Sequence, residues 1–321
     1  MNKNGLYMGF MITGILVVLI YASYGMLNLG KEKPYYSVSV IVEDSSNDRW
    51  NAFKEGLEQG ASENHIYLNI VSTTEIADYK EEWNIIAREL ENGADGIIIE
   101  MCDSADESSN LSSKAEEEAI VLIDTDLEAP SDNEFTVVAT NAAKMGAAIA
   151  EAVINGEGTE DYTIGVLTGN QKKSSMQQRL QGFLDVIADT DAQIVWSFSE
   201  EELENTTLAV AMDQTMPDVI VALENDETER AVDFLLESRE SQCRLYGEGR
   251  SEKAIYYLGK GMIEALVVAD EYSMGYQSIT EIAAQLEQMD KTVRNIEVGF
   301  VSVTREEMYN EDTERILFPV I

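Results

Sequence analysis

From Tyr36 onward, short apolar runs bounded by turn residues alternate with stretches of helical periodicity. Tyr36 to Val42 alternates in polarity and is rich in β-branched residues, as a strand requires. Ile66 to Val71, Gly96 to Ile99, Ile120 to Ile123 and Phe135 to Ala139 follow as strands, with helices between them near 49–63, 78–92, 107–118 and 142–155. The same rhythm resumes with strands Tyr162 to Leu167, Ala192 to Ser197, Val219 to Leu223, Arg244 to Tyr246 and Ala265 to Ala269. Helices separate these near 174–188, 200–213, 226–240 and 251–261, and one more spans about 275–289.

Short, nearly all-apolar strands, each followed by an amphipathic helix, form parallel sheets covered on both faces. Two such series predict an α/β fold of two doubly wound parallel-sheet lobes. Ahead of them, no charged residue lies between Lys3 and Lys31, and the apolar run centres on Leu6 to Tyr21. This span is long enough for a transmembrane helix, with Lys3 on the inner side. A cleaved signal peptide is the alternative, but Ile20, Tyr21, Tyr24 and Met26 stand where small residues favour cleavage. The expectation is a signal anchor and linker over 1–34, a single membrane pass, and a folded part outside the cytoplasm.

The chain has 22 Lys plus Arg against 60 Asp plus Glu, a net charge of −38. Nucleic acid is excluded as a partner, because nothing neutralises its phosphates. Cys102 and Cys243 are too sparse to imply a disulfide framework, and two buried thiols are expected. His65 stands in a loop with no partner at metal-ligand or triad spacing and reads as a solvated residue.

In doubly wound sheets, ligands bind beyond the carboxyl ends of the strands. That rule selects Glu43 to Trp50, Glu100 to Asp103, Asp124 to Asp126 and Asn141 in the first series. In the second it selects Gly169 to Arg179, Glu224 to Glu227, Gly247 to Arg250 and Asp270 to Tyr272. Gly165 to Ser174 fails the spacing of a phosphate loop, and Gly247-Glu248-Gly249 lacks the third glycine of a dinucleotide fingerprint. Asp124-Thr125-Asp126 and Asp189-Thr190-Asp191 do not continue as calcium loops. No metal, cofactor or catalytic residue is expected, and binding without turnover is the reading.

Three segments, in this order, carry a resemblance: Asn47-Asp48-Arg49-Trp50-Asn51-Ala52-Phe53-Lys54-Glu55-Gly56, Asn92-Gly93-Ala94-Asp95-Gly96-Ile97-Ile98-Ile99, and Asn225-Asp226-Glu227. Over about residues 36–304 the chain resembles the type I periplasmic-binding family, which includes ribose- and galactose-binding proteins and the effector domains of lactose-repressor-like regulators. The resemblance implies two lobes joined by three crossovers, near Thr140, Asp270 and Gly299, that close on a sugar. It implies one lobe from 35–140 plus 271–299 and another from 141–270 plus 300–321.

Residue by residue, the resemblance places Asn47 before the family's aromatic pair, with Trp50 as the second aromatic and Arg49 departing from the first. Asp103 stands at an acidic sugar contact, with Asp124 at the next strand end and Asn141 at the first crossover. Asn225 and Asp226 match an Asn-Asp pair, Glu248 replaces an aspartate and Asp270 a glutamine. Arg179 matches the second arginine of a clamp whose first position is Gln177. These carboxylates and amides suit vicinal hydroxyls, and an indole covers an apolar ring face. With so many carboxylates among them, a neutral sugar is expected. The implied partner is an ABC-type permease, for which the protein would be a solute receptor, or alternatively a membrane histidine kinase, for which it would be a tethered sensor. A DNA-binding regulator is set aside because an apolar segment holds the headpiece position. The apolar end, Met308 to Ile321, is expected to add a strand or meet a partner.

Overall fold

The computed structural model describes residues 13–19, 35–104, 111, 118–125, 135–158, 161–205, 208, 210, 215–238, 243–288 and 292–318. Residues 13–19 are helical, and Ile15 to Leu19 within them are exposed. No helix among the described residues is long and apolar enough to cross a membrane. The rest of the anchor segment, most of the helix expected at 107–118, and Asp126 lie outside the described residues. Residues 1–35 and 36–321 are separate compact units, and the second holds the two lobes.

The first lobe contains β1 (Tyr36–Ile41), β2 (Ile66–Ile70), β3 (Gly96–Ile99), β4 (Ala119–Ile123), β5 (Thr136–Thr140) and β11 (Asn295–Val298). They form a parallel sheet in the order β11-β5-β4-β3-β1-β2. The second lobe contains β6 (Thr163–Leu167), β7 (Gln193–Phe198), β8 (Val219–Ala222), β9 (Arg244–Glu248), β10 (Ile263–Ala269) and β12 (Phe300–Thr304). Its order is β12-β10-β9-β8-β6-β7. The edge strand β12 runs antiparallel to β10, which departs from the all-parallel expectation; such an edge on a parallel sheet is common.

The described helices are α1 (Asn51–Asn64), α2 (Tyr79–Glu91), α3 (Ala142–Glu157), α4 (Ser174–Ile187), α5 (Glu200–Asn205), α6 (Asn225–Ser238), α7 (Glu252–Lys260), α8 (Glu271–Gln288) and α9 (Glu311–Leu317). Their starts follow from local chemistry. Asp78, Asn141 and Ser251 each accept a backbone N–H from the first turn of the helix that follows, which satisfies donors that would otherwise have no partner. Within the terminal segment, Glu311–Leu317 forms the helix α9 rather than a strand, with Leu317 buried against the second lobe together with Met308, while residues 319–321 lie outside the described residues. Alternate faces of each sheet carry separate apolar cores, so that β3 and β8 are buried throughout.

The helices α3 and α4 of the second lobe cross at Gly146 and Gly182. A Cβ on Gly146 would run into the carbonyl oxygen of Arg179, and one on Gly182 into that of Ala143. Gly56 and Gly275 play the same part between α1 and α8 in the first lobe, facing the carbonyls of Tyr272 and Phe53. The repetition of this contact marks the two lobes as similar units. No disulfide joins the cysteines: Cys102 is buried and Cys243 half-buried, so the second thiol is more accessible than expected.

One buried carboxylate has a measurable consequence. Glu82 on α2 is fully buried, and it accepts the Cys102 N–H at 2.8 Å while Oε2 has no hydrogen-bond partner. Burial raises its pKa to about 7, against the lowering effect of the Cys102 hydrogen bond. The folded state therefore holds a proton that the unfolded state loses near pH 4.5. This contribution is fully present below that pH and is lost as pH rises through 7, amounting to about 3 kcal/mol. Glu82→Gln is expected to remove that part of the slope, so that the variant gains on the wild type between pH 5 and pH 8. Urea unfolding at both pH values checks this, and parallel wild-type and variant slopes would refute it.

Candidate functional site

The carboxyl ends of the two sheets face each other across a closed cleft. Direct hydrogen bonds tie the lobes together: Ser104 N–H to the Lys172 carbonyl at 3.0 Å, Ser174 N–H to Ser104 Oγ at 2.8 Å and Ser175 N–H to Thr125 Oγ1 at 3.2 Å. On another side of the cleft, Glu252 N–H donates to the Asp48 carboxylate at 3.1 Å. These bonds bring residues after β3 and β4 against the turn that opens α4, and the turn before α1 against the start of α7.

Between these contacts lies a buried cluster of opposite charges. Lys173, only 2% exposed, comes from the second lobe and reaches Glu100 at 3.6 Å, Glu43 at 3.9 Å and Glu224 at 3.9 Å. Desolvation pulls its pKa down, but Glu100 and Glu224 outweigh it, and the net shift is upward. Arg49 pairs with Glu100 at 3.5 Å, and its guanidinium lies 4.2 Å from the centre of the Trp50 ring. Arg49 too is raised despite burial, by Glu100 first and then by Asp226, Glu224 and Glu248. Arg179 donates to the Leu223 carbonyl at 2.7 Å and stands 3.7 Å from Glu248. Burial pushes the Glu248 carboxyl upward, while Arg179 and Arg250 oppose that shift. Arg250 pairs with Glu271 at 2.6 Å.

Around this cluster the hydrogen-bonding capacity is incomplete. Glu100 Oε2, Glu271 Oε2, Arg179 Nε and Arg250 Nη1 are buried without a hydrogen-bond partner. Glu100 Oε2 has only its 3.5 Å ion pair with Arg49, and buried groups without a hydrogen bond are costly unless something satisfies them.

The residues singled out from the sequence separate into two sets. Arg49, Trp50, Asp124, Arg179 and Glu248 converge on one inner void, together with Glu100, Met176, Glu224, Ala269 and Glu271. Asp226 is exposed and lines an acidic mouth of the cleft beside Arg49 and Lys173. The other set is occupied with backbone work. Asn47 caps the turn before α1 by accepting Arg49 N–H, and Asn141 caps α3 and donates to Glu297. Asn225 accepts from the Arg250 and Ser251 amides, and Asp270 accepts from Ser273 and pairs with Arg315 at 3.5 Å. Gln177 is exposed and donates to the Gln171 carbonyl; its neighbour Met176 faces the void instead. Asp103 lines neither the inner void nor the acidic mouth. Trp50 is 2% exposed, packs on Phe53 and donates from Nε1 to the Glu43 carbonyl at 3.0 Å, so it is both core and site.

Lys173, Glu100, Glu224, Arg250 and Glu271 complete the cluster and were not among the singled-out residues. Each follows a strand end within the ranges selected by the sheet rule, and that was the signal available. The inner void measures about 20 Å³, whereas the acidic mouth beside it measures about 350 Å³. Arg49 lines both.

The sequence matches the periplasmic binding protein domain family over residues 38–290, and the chain belongs to that family. Solved structures share the fold. A carbohydrate transporter solute-binding protein from Agrobacterium radiobacter, in complex with D-arabinose, is 19% identical, with a TM-score of 0.80 over 89% of this chain and 100% of its own. An ABC transporter solute-binding protein from Agrobacterium vitis with bound D-fucose is 20% identical, with a TM-score of 0.79 over 88% of this chain and 100% of its own. The XylFII–LytSN complex contains a chain 16% identical, with a TM-score of 0.73 over 85% of this chain and 99% of its own. No curated protein matches the chain.

Proposed function

We propose that this protein is an extracytoplasmic receptor that binds a neutral saccharide between its lobes without turning it over, and serves an ABC-type importer. The observation that carries the reading is the set of buried atoms at the strand ends that lack a hydrogen bond, Glu100 Oε2, Glu271 Oε2, Arg179 Nε and Arg250 Nη1. Acceptors and donors in one cluster suit hydroxyl groups, each of which both donates and accepts. The described cluster sets Glu43, Glu100, Asp124, Glu224, Asp226, Glu248 and Glu271 against Arg49, Lys173, Arg179 and Arg250. An acidic sugar adds to the carboxylate excess and finds every cation already paired.

Arabinose and fucose, which the two Agrobacterium proteins hold, are neutral and support the same class. A membrane anchor over 1–34 fits such a receptor, and the likeness to the chain in the XylFII–LytSN complex supports a second reading. In it the protein is a tethered sensor whose ligand-bound form is presented to a membrane histidine kinase.

Calorimetric titration with neutral, amine-bearing and acidic sugars tests the ligand class, and small-angle scattering at saturation follows lobe closure. A neutral sugar is expected to bind and to leave the protein at least as compact as before. Binding confined to acidic sugars, or none across the panel, would overturn the reading. Cross-linking in cells then separates the two partners, a permease or a kinase.

A further inference from the structure

We propose that the ligand has at least two sugar rings, and that its outer ring binds in an aromatic groove between the lobes, outside the inner charge cluster. This rests on the saccharide-receptor reading above. The inner void of about 20 Å³ has room for about one water molecule, far less than a pyranose. The groove measures about 570 Å³, within the roughly 300–1,000 Å³ of small-molecule sites.

Its walls come from both lobes: the start of α1 on one side, α7 and the terminal segment that carries α9 on the other. A ligand there touches both lobes at once. The aromatic surface is open to solvent, with Tyr256 56%, Tyr309 73% and Phe318 37% exposed. Tyr309 and Phe318 are stacked, with ring centroids 6.0 Å apart and planes within 10°. Flat, exposed aromatic faces flanked by hydrogen-bonding groups are what the apolar face of a sugar ring requires.

The rim supplies those groups, namely Asp48, Glu55, Glu252 and Lys260. At the inner end of the groove stands Arg250, whose side chain is 6% exposed and whose Nη1 lacks a hydrogen-bond partner. Arg49 lines the groove, the acidic mouth and the void alike. The groove therefore adjoins the acidic mouth of about 350 Å³ at Arg49, and the ligand so proposed places its inner ring in that mouth and its outer ring in the groove.

The test compares monosaccharides with their own di- and trisaccharides (glucose with maltose and cellobiose, galactose with lactose, xylose with xylobiose and xylotriose) by calorimetry, on the wild type and on Tyr256→Ala/Tyr309→Ala. Both tyrosines are exposed, and a thermal melt verifies that the variant stays folded. At least one oligosaccharide is expected to bind about tenfold tighter than its monosaccharide, and the variant to lose about that factor for the oligosaccharide alone. Equal affinity for the short and long sugars, or an unchanged oligosaccharide affinity in the variant, overturns the groove while leaving the monosaccharide receptor intact. Absence of binding by every sugar in the panel overturns the receptor reading itself.

Discussion

Gly146→Val is expected to cost about 3 kcal/mol of stability, at the upper end of overpacking effects, and to weaken ligand binding as well. The Cβ it introduces meets the Arg179 carbonyl oxygen and the neighbouring backbone of α4, not the end of a flexible side chain. The helices can relieve the clash only by separating, and the facing contact of Gly182 with the Ala143 carbonyl shows how little room remains. Separation moves α4, which carries Arg179 between the Leu223 carbonyl and Glu248. Urea unfolding measures the first effect and calorimetric titration the second. A stability within about 0.5 kcal/mol of the wild type, the range of an ordinary surface substitution, would show that the helix crossing is not tight.

The alternation of apolar strands and amphipathic helices made the two-lobed α/β fold legible, because strands buried on both faces leave little choice of fold class. β11 and β12 were not legible as strands: Asn295–Val298 and Phe300–Thr304 alternate in polarity but are short, partly exposed and without the apolar runs that mark the other strands. At the end of the chain, apolar residues suggested a strand or a partner contact, but Glu311–Leu317 is a helix that buries Thr313 and Leu317.

The ranges selected by the strand-end rule contain most of the residues that line the inner void, some of them one or two positions from the residues singled out. Met176 faces the void where Gln177 was expected, and Ala269 and Glu271 face it on either side of Asp270. A helix start turns successive side chains by about 100°, so an error of one residue exchanges the cleft for solvent or for a cap. Asn141, Asn225 and Asp270 show the same ambiguity in chemical form. An amide or carboxylate at a strand-to-helix turn can cap the helix as readily as it can hold a ligand. The charge cluster was hidden for a different reason, since its partners lie far apart in sequence: Glu43 and Glu100 come from the first lobe, Lys173 and Glu224 from the second.

Lys173→Met is the substitution that exposes this cluster. Methionine keeps most of the length and the burial of the lysine stem, so the change is chiefly the loss of one charge. Glu43, Glu100 and Glu224 then face one another with Arg49 as the nearest remaining cation, 3.5 Å from Glu100. Breaking a buried ion pair by removing one partner costs about 3–5 kcal/mol, because the other charge is left uncompensated. Here the carboxylates belong to different lobes, so the protein has a cheaper escape than unfolding, which is to open. The expected result is a variant with a larger radius of gyration than the wild type and a reduced affinity for its ligand. Its sign with pH is fixed by Glu43. Burial raises that carboxyl's pKa and Lys173 holds it down, so without Lys173 it rises further above the unfolded value. A raised carboxyl contributes stability at low pH that is lost as pH increases. The variant is therefore expected to close and to recover part of its stability between pH 8 and pH 5, relative to the wild type over the same interval. Small-angle scattering and urea unfolding at the two pH values measure both responses. A variant as compact and as stable as the wild type at pH 8 would show that Lys173 does not hold the lobes together.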